Sequence, residues 1–261
     1  MSDSPLPFQI YALKYATRMA PAWECFLGAG ADEPPRRMDY FVWVITNDSA
    51  TVVLDTGFSE EVARQRGRDY LHNPIEGLRA LGIDPNAVDR VVLSHMHYDH
   101  VGNTPKLPRA QFVLQAEEMA FYTGSAAHFD RFSRSIEVED VLNLVRANYD
   151  GRLHIIEGEE ELLPGVTLHL VGGHTAGSQI ARVRTERGMV VLAADAAHYY
   201  EEIEKLRPFP TLHDLARMYQ GYDTINRLAD SPGHVIPGHD PLVVERYPSI
   251  EQDTPWIVRV A

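Results

Sequence analysis

Cysteine is almost missing from this chain of 261 residues: Cys25 stands alone. A single thiol excludes an intrachain disulfide framework and is compatible with a reducing compartment. Positive charge is scarce too, with 24 Lys and Arg against 37 Asp and Glu and a formal net charge of −13. A nucleic-acid polyanion would be repelled unless a basic patch offset that balance. None is present: Arg64, Arg66 and Arg68 alternate with other residues beside Glu60 and Glu61. No apolar run approaches the roughly 20 residues a membrane helix requires. The stretch Met1 to Pro7 holds no basic region followed by an apolar one, so no secretory leader is expected and the expected location is the cytoplasm. No Gly-x-Ser-x-Gly turn occurs, which disfavours a serine hydrolase. No repeat, low-complexity tract or interdomain linker is visible. What remains is a chain with 44% hydrophobic residues, enough for one large core, and a single domain over residues 1–261 is predicted.

One stretch breaks this plain background. Val91-Val92-Leu93 reads as a buried strand, and Ser94-His95-Met96-His97-Tyr98-Asp99-His100 follows it, with three histidines and an aspartate in six positions. The polar cluster falls at the strand's carboxyl end, where open α/β sheets form ligand crevices. Residues two apart in an extended segment point the same way, so His95 and His97 can approach one metal ion. A turn at Tyr98 then lets Asp99 and His100 face a second centre. Imidazole nitrogen with carboxylate oxygen suits zinc or a similar divalent ion. The bland alternative is a solvated, histidine-rich turn, which is the better reading of a lone histidine. Four ligand-type residues in six positions reverse that preference.

The rest of the chain supplies partners in similar settings. His174 follows the apolar run Val166 to Val171, Asp195 ends Met189 to Asp195, and His239 follows Val235-Ile236-Pro237-Gly238. Each sits just past a predicted strand, often beside glycine, where backbone can approach a metal closely.

The pattern His95-x-His97-x-Asp99-His100, then His174, Asp195 and His239, resembles the metallo-β-lactamase superfamily in its binuclear hydrolase form, and within it the N-acyl-homoserine lactonase family. The resemblance spans nearly the whole chain. It implies a four-layer αββα sandwich of two mixed β-sheets flanked by helices. It also implies two divalent metal ions, zinc by preference. His95, His97 and His174 would hold one, and Asp99, His100 and His239 the other, with Asp195 bridging. True β-lactamases of the superfamily lack an aspartate bridge and often use a cysteine ligand, whereas Cys25 is remote in sequence from every motif here. Asp55-Thr56-Gly57 also matches the superfamily, where such an aspartate holds a ligand imidazole by its other nitrogen and so fixes its tautomer; otherwise it is an ordinary turn. A homodimer rests on likeness alone.

The implied chemistry is metal-assisted opening of a small lactone, an N-acyl-homoserine lactone first (quorum quenching), by attack of an activated water. Asp99 would take part in catalysis as well as binding metal. One departure affects the leaving group. Where the lactonases carry a tyrosine three residues after the bridging aspartate, this chain has His198, followed by Tyr199 and Tyr200. His198 is a candidate proton donor or oxyanion partner, since its ordinary pKa lies near neutrality; Tyr199 is the alternative if the loop is shifted by one residue. Competing readings keep the fold and change the reaction: a glyoxalase-II-like thioesterase, another ester or amide hydrolase, or an iron-dependent persulfide dioxygenase. The last uses a mononuclear triad and has no need of Asp99 and His239. A non-catalytic metal binder would be expected to have lost a ligand, and none is missing.

Elsewhere the pattern predicts a strand over Phe8–Leu13, an irregular segment Tyr15–Arg37 with exposed Trp23, Phe26 and Leu27, and a hairpin of Tyr40–Thr46 with Thr51–Asp55. That irregular segment either pads the core or lines the substrate entrance or a dimer contact. Asn73-Pro74-Ile75-Glu76 starts a helix that Gly82 ends, Gln111–Gln115 is a strand, and Ala116–Tyr122 a helix. Residues 123–152 read as an insertion with apolar helical spacing at Val138, Val141, Leu142 and Val145: a core helix, or a lid giving apolar contacts to a substrate tail. A long amphipathic helix is predicted from Thr211 through Ile225.

Overall fold

Alternating apolar side chains on both faces of the central strands dictate the architecture. In the strand carrying Val190 to Ala193, Val190 and Leu192 join one buried cluster and Val191 and Ala193 the other. Strands apolar on both faces must be covered on both. The computed structural model, which describes residues 6–261, satisfies this with two sheets packed face to face and helices outside them. Residues 1–5, which carry most of the expectation of no leader, lie outside the described residues.

In chain order the strands are β1 (Gln9–Ala20), β2 (Arg36–Thr46), β3 (Thr51–Leu54), β4 (Asp69–Tyr70), β5 (Arg90–Val92), β6 (Gln111–Gln115), β7 (Leu153–Ile156), β8 (Glu159–Leu163), β9 (Val166–Leu170), β10 (Gln179–Thr185), β11 (Gly188–Ala194), β12 (Val235–Pro237) and β13 (Ile257–Arg259). The first sheet runs β13-β1-β2-β3-β5-β6-β7, with β4 paired to β1, and the second runs β12-β11-β10-β9-β8. Both are mixed: β3, β5, β6 and β7 pair parallel within an otherwise antiparallel sheet, and β11 pairs parallel with β12. Trp43, Ile45, Leu54 and Val92 from the first sheet meet Leu168, Val183, Leu192 and Ile236 from the second in the inter-sheet core. This is the four-layer αββα sandwich. Among the described residues no helix is long and apolar enough to cross a membrane.

Four local expectations need correction. β1 does not stop at Leu13 but runs to Ala20, because a register shift between Lys14 and Ala16 lets it pair with β2 and β4 beyond the bulge. Phe26 is buried rather than exposed, packed on Tyr199 at 5.3 Å, while Trp23 and Leu27 are exposed. In helix Val138–Tyr149 the buried face is Asp140, Leu144 and Ala147, and Val138 and Leu142 face solvent. Two helical faces competed there, and tertiary contact chose the one carrying an aspartate. The long helix begins at Leu215, four positions after Thr211, because the Asp214 carboxylate itself caps it by accepting from the Arg217 amide at 3.0 Å.

Candidate metal centre

Five strand ends converge at one rim of the sandwich. Asp55 follows β3, His95 follows β5, His174 follows β9, Asp195 follows β11 and His239 follows β12. Tight backbone is needed to turn that many loops inward. Asp55 and Ala194 are two of three non-glycine residues with positive φ among the described residues, at 64° and 43°. Such conformations are held only where surrounding structure fixes them. Gly238 is required by proximity: a Cβ there would lie 2.6 Å from the Ala194 carbonyl oxygen and 2.9 Å from Asp195 Oδ1.

The structure brings all seven sequence-identified ligand candidates together, in two buried groups that share one member. His95, His97, His174 and Asp195 form the first; Asp99, His100, His239 and Asp195 form the second, and within each group the ligand atoms lie within 4.8 Å of one another. Asp195 divides its oxygens between them. Its Oδ1 lies 3.0 Å from His239 Nε2 and 3.3 Å from His100 Nε2. Its Oδ2 lies 3.3 Å from His174 Nε2 and 3.8 Å from His95 Nε2. The chain enters a short helix, Tyr98–Val101, immediately after His97. This is the turn that sends Asp99 and His100 to the second group.

Four of the five ligand imidazoles are held from behind. His100 Nδ1 meets Asp55 Oδ2 at 2.8 Å, His239 Nδ1 meets the Asp39 carbonyl at 2.7 Å, His95 Nδ1 meets Ser94 Oγ at 3.0 Å, and His97 Nε2 meets the Tyr122 hydroxyl at 3.1 Å. Such contacts fix the ring so that its remaining nitrogen faces inward. Of the inward atoms His97 Nδ1 and His174 Nε2 meet each other at 2.9 Å, and most of the others have no partner among the described residues. His95 Nε2, His100 Nε2, His239 Nε2 and Asp195 Oδ1 are buried without a hydrogen-bond partner among the described residues. Unpaired buried polar atoms are costly, and in a native protein they call for an unseen ion or water. The donor set fits a pair of divalent cations.

In the first group the electrostatics agree with the donor chemistry. In the second, by contrast, burial would lower the His100 imidazole but Asp195, Asp55 and Asp99 outweigh it and hold it well above its ordinary pKa. Burial holds the His95 and His174 imidazoles well below their ordinary pKa and brings His97 down to about 4. All three are therefore neutral and free to ligate at physiological pH. Burial alone would raise the Asp195 carboxyl, but the imidazoles of His239, His198 and His100 outweigh it and hold Asp195 well below the usual carboxylate range.

An open cleft of about 490 Å³ leads to this centre, and His97, Asp99, His174, Asp195 and His198 lie in its wall. His198 is fully buried, with Nε2 3.1 Å from Asp195 Oδ2 and Nδ1 3.3 Å from Glu202 Oε1. Burial would depress its imidazole, yet the two carboxylates raise it to about 9. Tyr199 is turned the other way. Its hydroxyl donates to the Arg37 carbonyl at 3.2 Å and touches Cys25 Sγ at 3.5 Å, so the one-residue loop shift that would aim it inward does not occur.

In the second ring of contacts sequence reasoning found Asp55, which meets His100 Nδ1 as expected, and missed the rest. Glu118 is fully buried and accepts from the Met96 amide with Oε1 and the Gly177 amide with Oε2, each at 2.8 Å, tying the two histidine loops together. Burial raises its carboxyl to about 7. In sequence it is only an acid in the first turn of a helix, a commonplace dipole partner. Glu202 accepts from the His198 and Tyr199 amides and from the Tyr222 hydroxyl. The arginines of the cleft wall were missed as well, because they come from three separate segments.

A family model described as the metallo-beta-lactamase superfamily matches residues 36–239. An N-acyl homoserine lactonase AiiB of Agrobacterium fabrum is 32% identical over 219 residues, covering 76% of this chain and 78% of the relative. An N-acyl homoserine lactonase of Bacillus sp is 27% identical over 211 residues, covering 72% of this chain and 78% of the relative. Among solved structures, an N-acyl homoserine lactone hydrolase with N-hexanoyl-L-homoserine bound at its catalytic metal center superposes with a TM-score of 0.78 at 18% identity, covering 94% of this chain and 98% of that one. AidC, a dizinc quorum-quenching lactonase, gives 0.72 at 16% identity over 91% and 89%.

Proposed function

The chain belongs to the metallo-β-lactamase superfamily and, within it, to the N-acyl homoserine lactonase family, and from that premise we propose that it is a metal-dependent hydrolase opening the ester ring of N-acyl homoserine lactones, a quorum-quenching activity. The observation that carries this reading is the division of Asp195 between two buried imidazole groups at the floor of an open cleft. We assign His95, His97 and His174 to one ion and Asp99, His100 and His239 to the other, with Asp195 serving both. Zinc is the ion proposed, since imidazole and carboxylate donors suit it.

Divalent ions in such a pair supply Lewis acidity to an ester carbonyl and make an attacking water available at neutral pH. The chain's own residues do the rest. Asp55, Ser94, Tyr122 and the Asp39 carbonyl hold the ligand imidazoles in one orientation, so the site is organised before substrate arrives. Water adds to the ring carbonyl, the ring C–O bond breaks, and the departing alkoxide takes a proton. His198 is our candidate for oxyanion contact or proton delivery, because it is the one cleft-wall imidazole outside both ligand groups. Glu202 sets its orientation through Nδ1. Asp99, in the cleft wall, is our candidate to pass a proton between the water and the leaving oxygen.

The insertion at 123–152 borders the cleft through Arg131, Arg134 and Ser135, which supports a lid role, although polar and cationic groups stand where apolar contacts were expected. A single domain, a cytoplasmic location and a homodimer are proposed from composition and likeness; light scattering at two concentrations measures the last.

The test is metal content together with turnover. Protein purified without added metal is expected to carry about two zinc per chain and to release acid from N-hexanoyl-homoserine lactone in a pH-stat. Chelation should abolish that activity and zinc restore it. His97→Ala and Asp195→Ala should be folded and inactive; undiminished turnover in either removes the metal assignment.

A further inference from the structure

The cleft wall carries five arginines, Arg18, Arg66, Arg68, Arg131 and Arg134, in a chain where acids outnumber bases by 37 to 24. Outside the ligand groups its only carboxylate is Glu24. Two of the arginines have structural occupations. Arg18 pairs with Glu24 at 2.7 Å, and Arg66 pairs with Glu137 at 2.6 Å while its guanidinium lies 3.9 Å over the Tyr98 ring. Even so, Arg18 Nε is buried without a hydrogen-bond partner among the described residues.

The other three meet no carboxylate within salt-bridge distance among the described residues. Arg131 is tied to the Pro210 carbonyl at 2.8 Å. Arg68 donates Nε to the Tyr98 hydroxyl at 3.1 Å and Nη1 to the Arg66 carbonyl at 2.7 Å, which leaves Nη2 unused among the described residues. The Arg134 side chain is exposed and has no hydrogen-bond acceptor among the described residues, and its own carbonyl is held by Arg66 at 2.9 Å. Burial and the nearby Arg68 oppose the Arg18 charge, and Tyr40 and Glu24 outweigh them. A cleft lined mostly by one sign of charge focuses the field and attracts counter-ions. Planar guanidinium forks match carboxylate and phosphate oxygens in particular.

We infer that this cleft selects lactones whose acyl substituent ends in an oxyanion, a carboxylate or a phosphate, held by Arg68 and Arg134 while the ring lies at the imidazole groups. This rests on the lactonase reading above and narrows its substrate class. An unsubstituted alkyl tail would leave the Arg68 and Arg134 donors unused.

The experiment compares kcat/KM of the zinc-loaded enzyme for N-hexanoyl-homoserine lactone, its ω-carboxylate counterpart N-adipoyl-homoserine lactone, and an ω-phosphate analogue of equal length. At least tenfold preference for a charged tail is expected, and which charged tail is preferred identifies the oxyanion. The preference should shrink several-fold in Arg134→Ala, an exposed side chain whose loss leaves packing intact, and in Arg68→Lys, which keeps charge but not the fork. Equal or better turnover of the hexanoyl lactone, with the ratio unchanged in both variants, overturns the inference while leaving the lactonase reading standing. If no lactone is opened, that reading fails. Calorimetric binding of adipate then decides the oxyanion site alone: weaker binding in Arg134→Ala supports it, and binding that is absent or unaltered by the variant overturns it.

Discussion

Asp55 and His100 meet at 2.8 Å, Oδ2 to Nδ1, across 45 positions of sequence, and Asp55 adopts a left-handed φ of 64° to make that contact. The same carboxylate accepts the Ser94 amide at 2.7 Å and the Ser94 hydroxyl at 2.8 Å. One side chain therefore fixes both a ligand ring and the start of the loop that carries three more ligands.

Replacing that carboxylate with the neutral amide in Asp55→Asn tests the relationship cleanly, because asparagine tolerates left-handed backbone. The expected result is a folded protein whose metal affinity falls about 10- to 100-fold, the usual cost of losing a group that orients a ligand histidine. Competition with a chromophoric chelator measures it. Unchanged affinity would mean that His100 is oriented by packing alone.

His198 lies flat on Phe209, ring centroids 3.6 Å apart and planes 8° from parallel, between Asp195 and Glu202. His198→Ala should lower kcat by about 100-fold or more, the usual scale for losing a proton-transfer group, with a smaller rise in KM. Tyr199→Phe should keep kcat within about twofold, because the lost hydroxyl faced the Arg37 carbonyl. It should cost only about 1 kcal/mol of stability, as one hydrogen bond does. The reverse pattern in steady-state kinetics would move the role to Tyr199.

Asp140 sits on the buried face of its helix, and burial, reinforced by Glu137 and against the pull of Arg66, pushes its carboxyl up to about 7. A carboxyl that binds its proton more tightly when folded contributes stability below its unfolded value, near 4. That contribution is lost as pH rises through about 7. Asp140→Asn should therefore match the parent in urea unfolding at pH 4 and exceed it by about 1–3 kcal/mol at pH 8. A parent that is more stable than the variant at pH 8 would show that the ionised carboxylate is paired.

The boundary between what was legible and what was not follows the range of the forces involved. Local spacing sufficed for His95, His97, Asp99 and His100, because a strand end followed by one helical turn fixes where those side chains point. The helix Ala116–Tyr122 and the hairpin of β2 and β3 were likewise legible from their own residues. The length of β1 was not, since its second half is held by β2 and β4 across a bulge rather than by its own pattern.

A shared setting just past a predicted strand, together with likeness to a family, joined His174, Asp195 and His239 to that stretch; local spacing could not. Composition and local pattern by themselves determined an acidic, single-thiol α/β chain with a dense ligand motif at a strand end. Only the tertiary structure decided that Glu118 ties two loops, that Tyr199 faces away, that Asp140 rather than Val138 is buried, and that arginines from three segments share one cleft. Each of those depends on groups meeting across the fold, and a chain read residue by residue holds no distance between them.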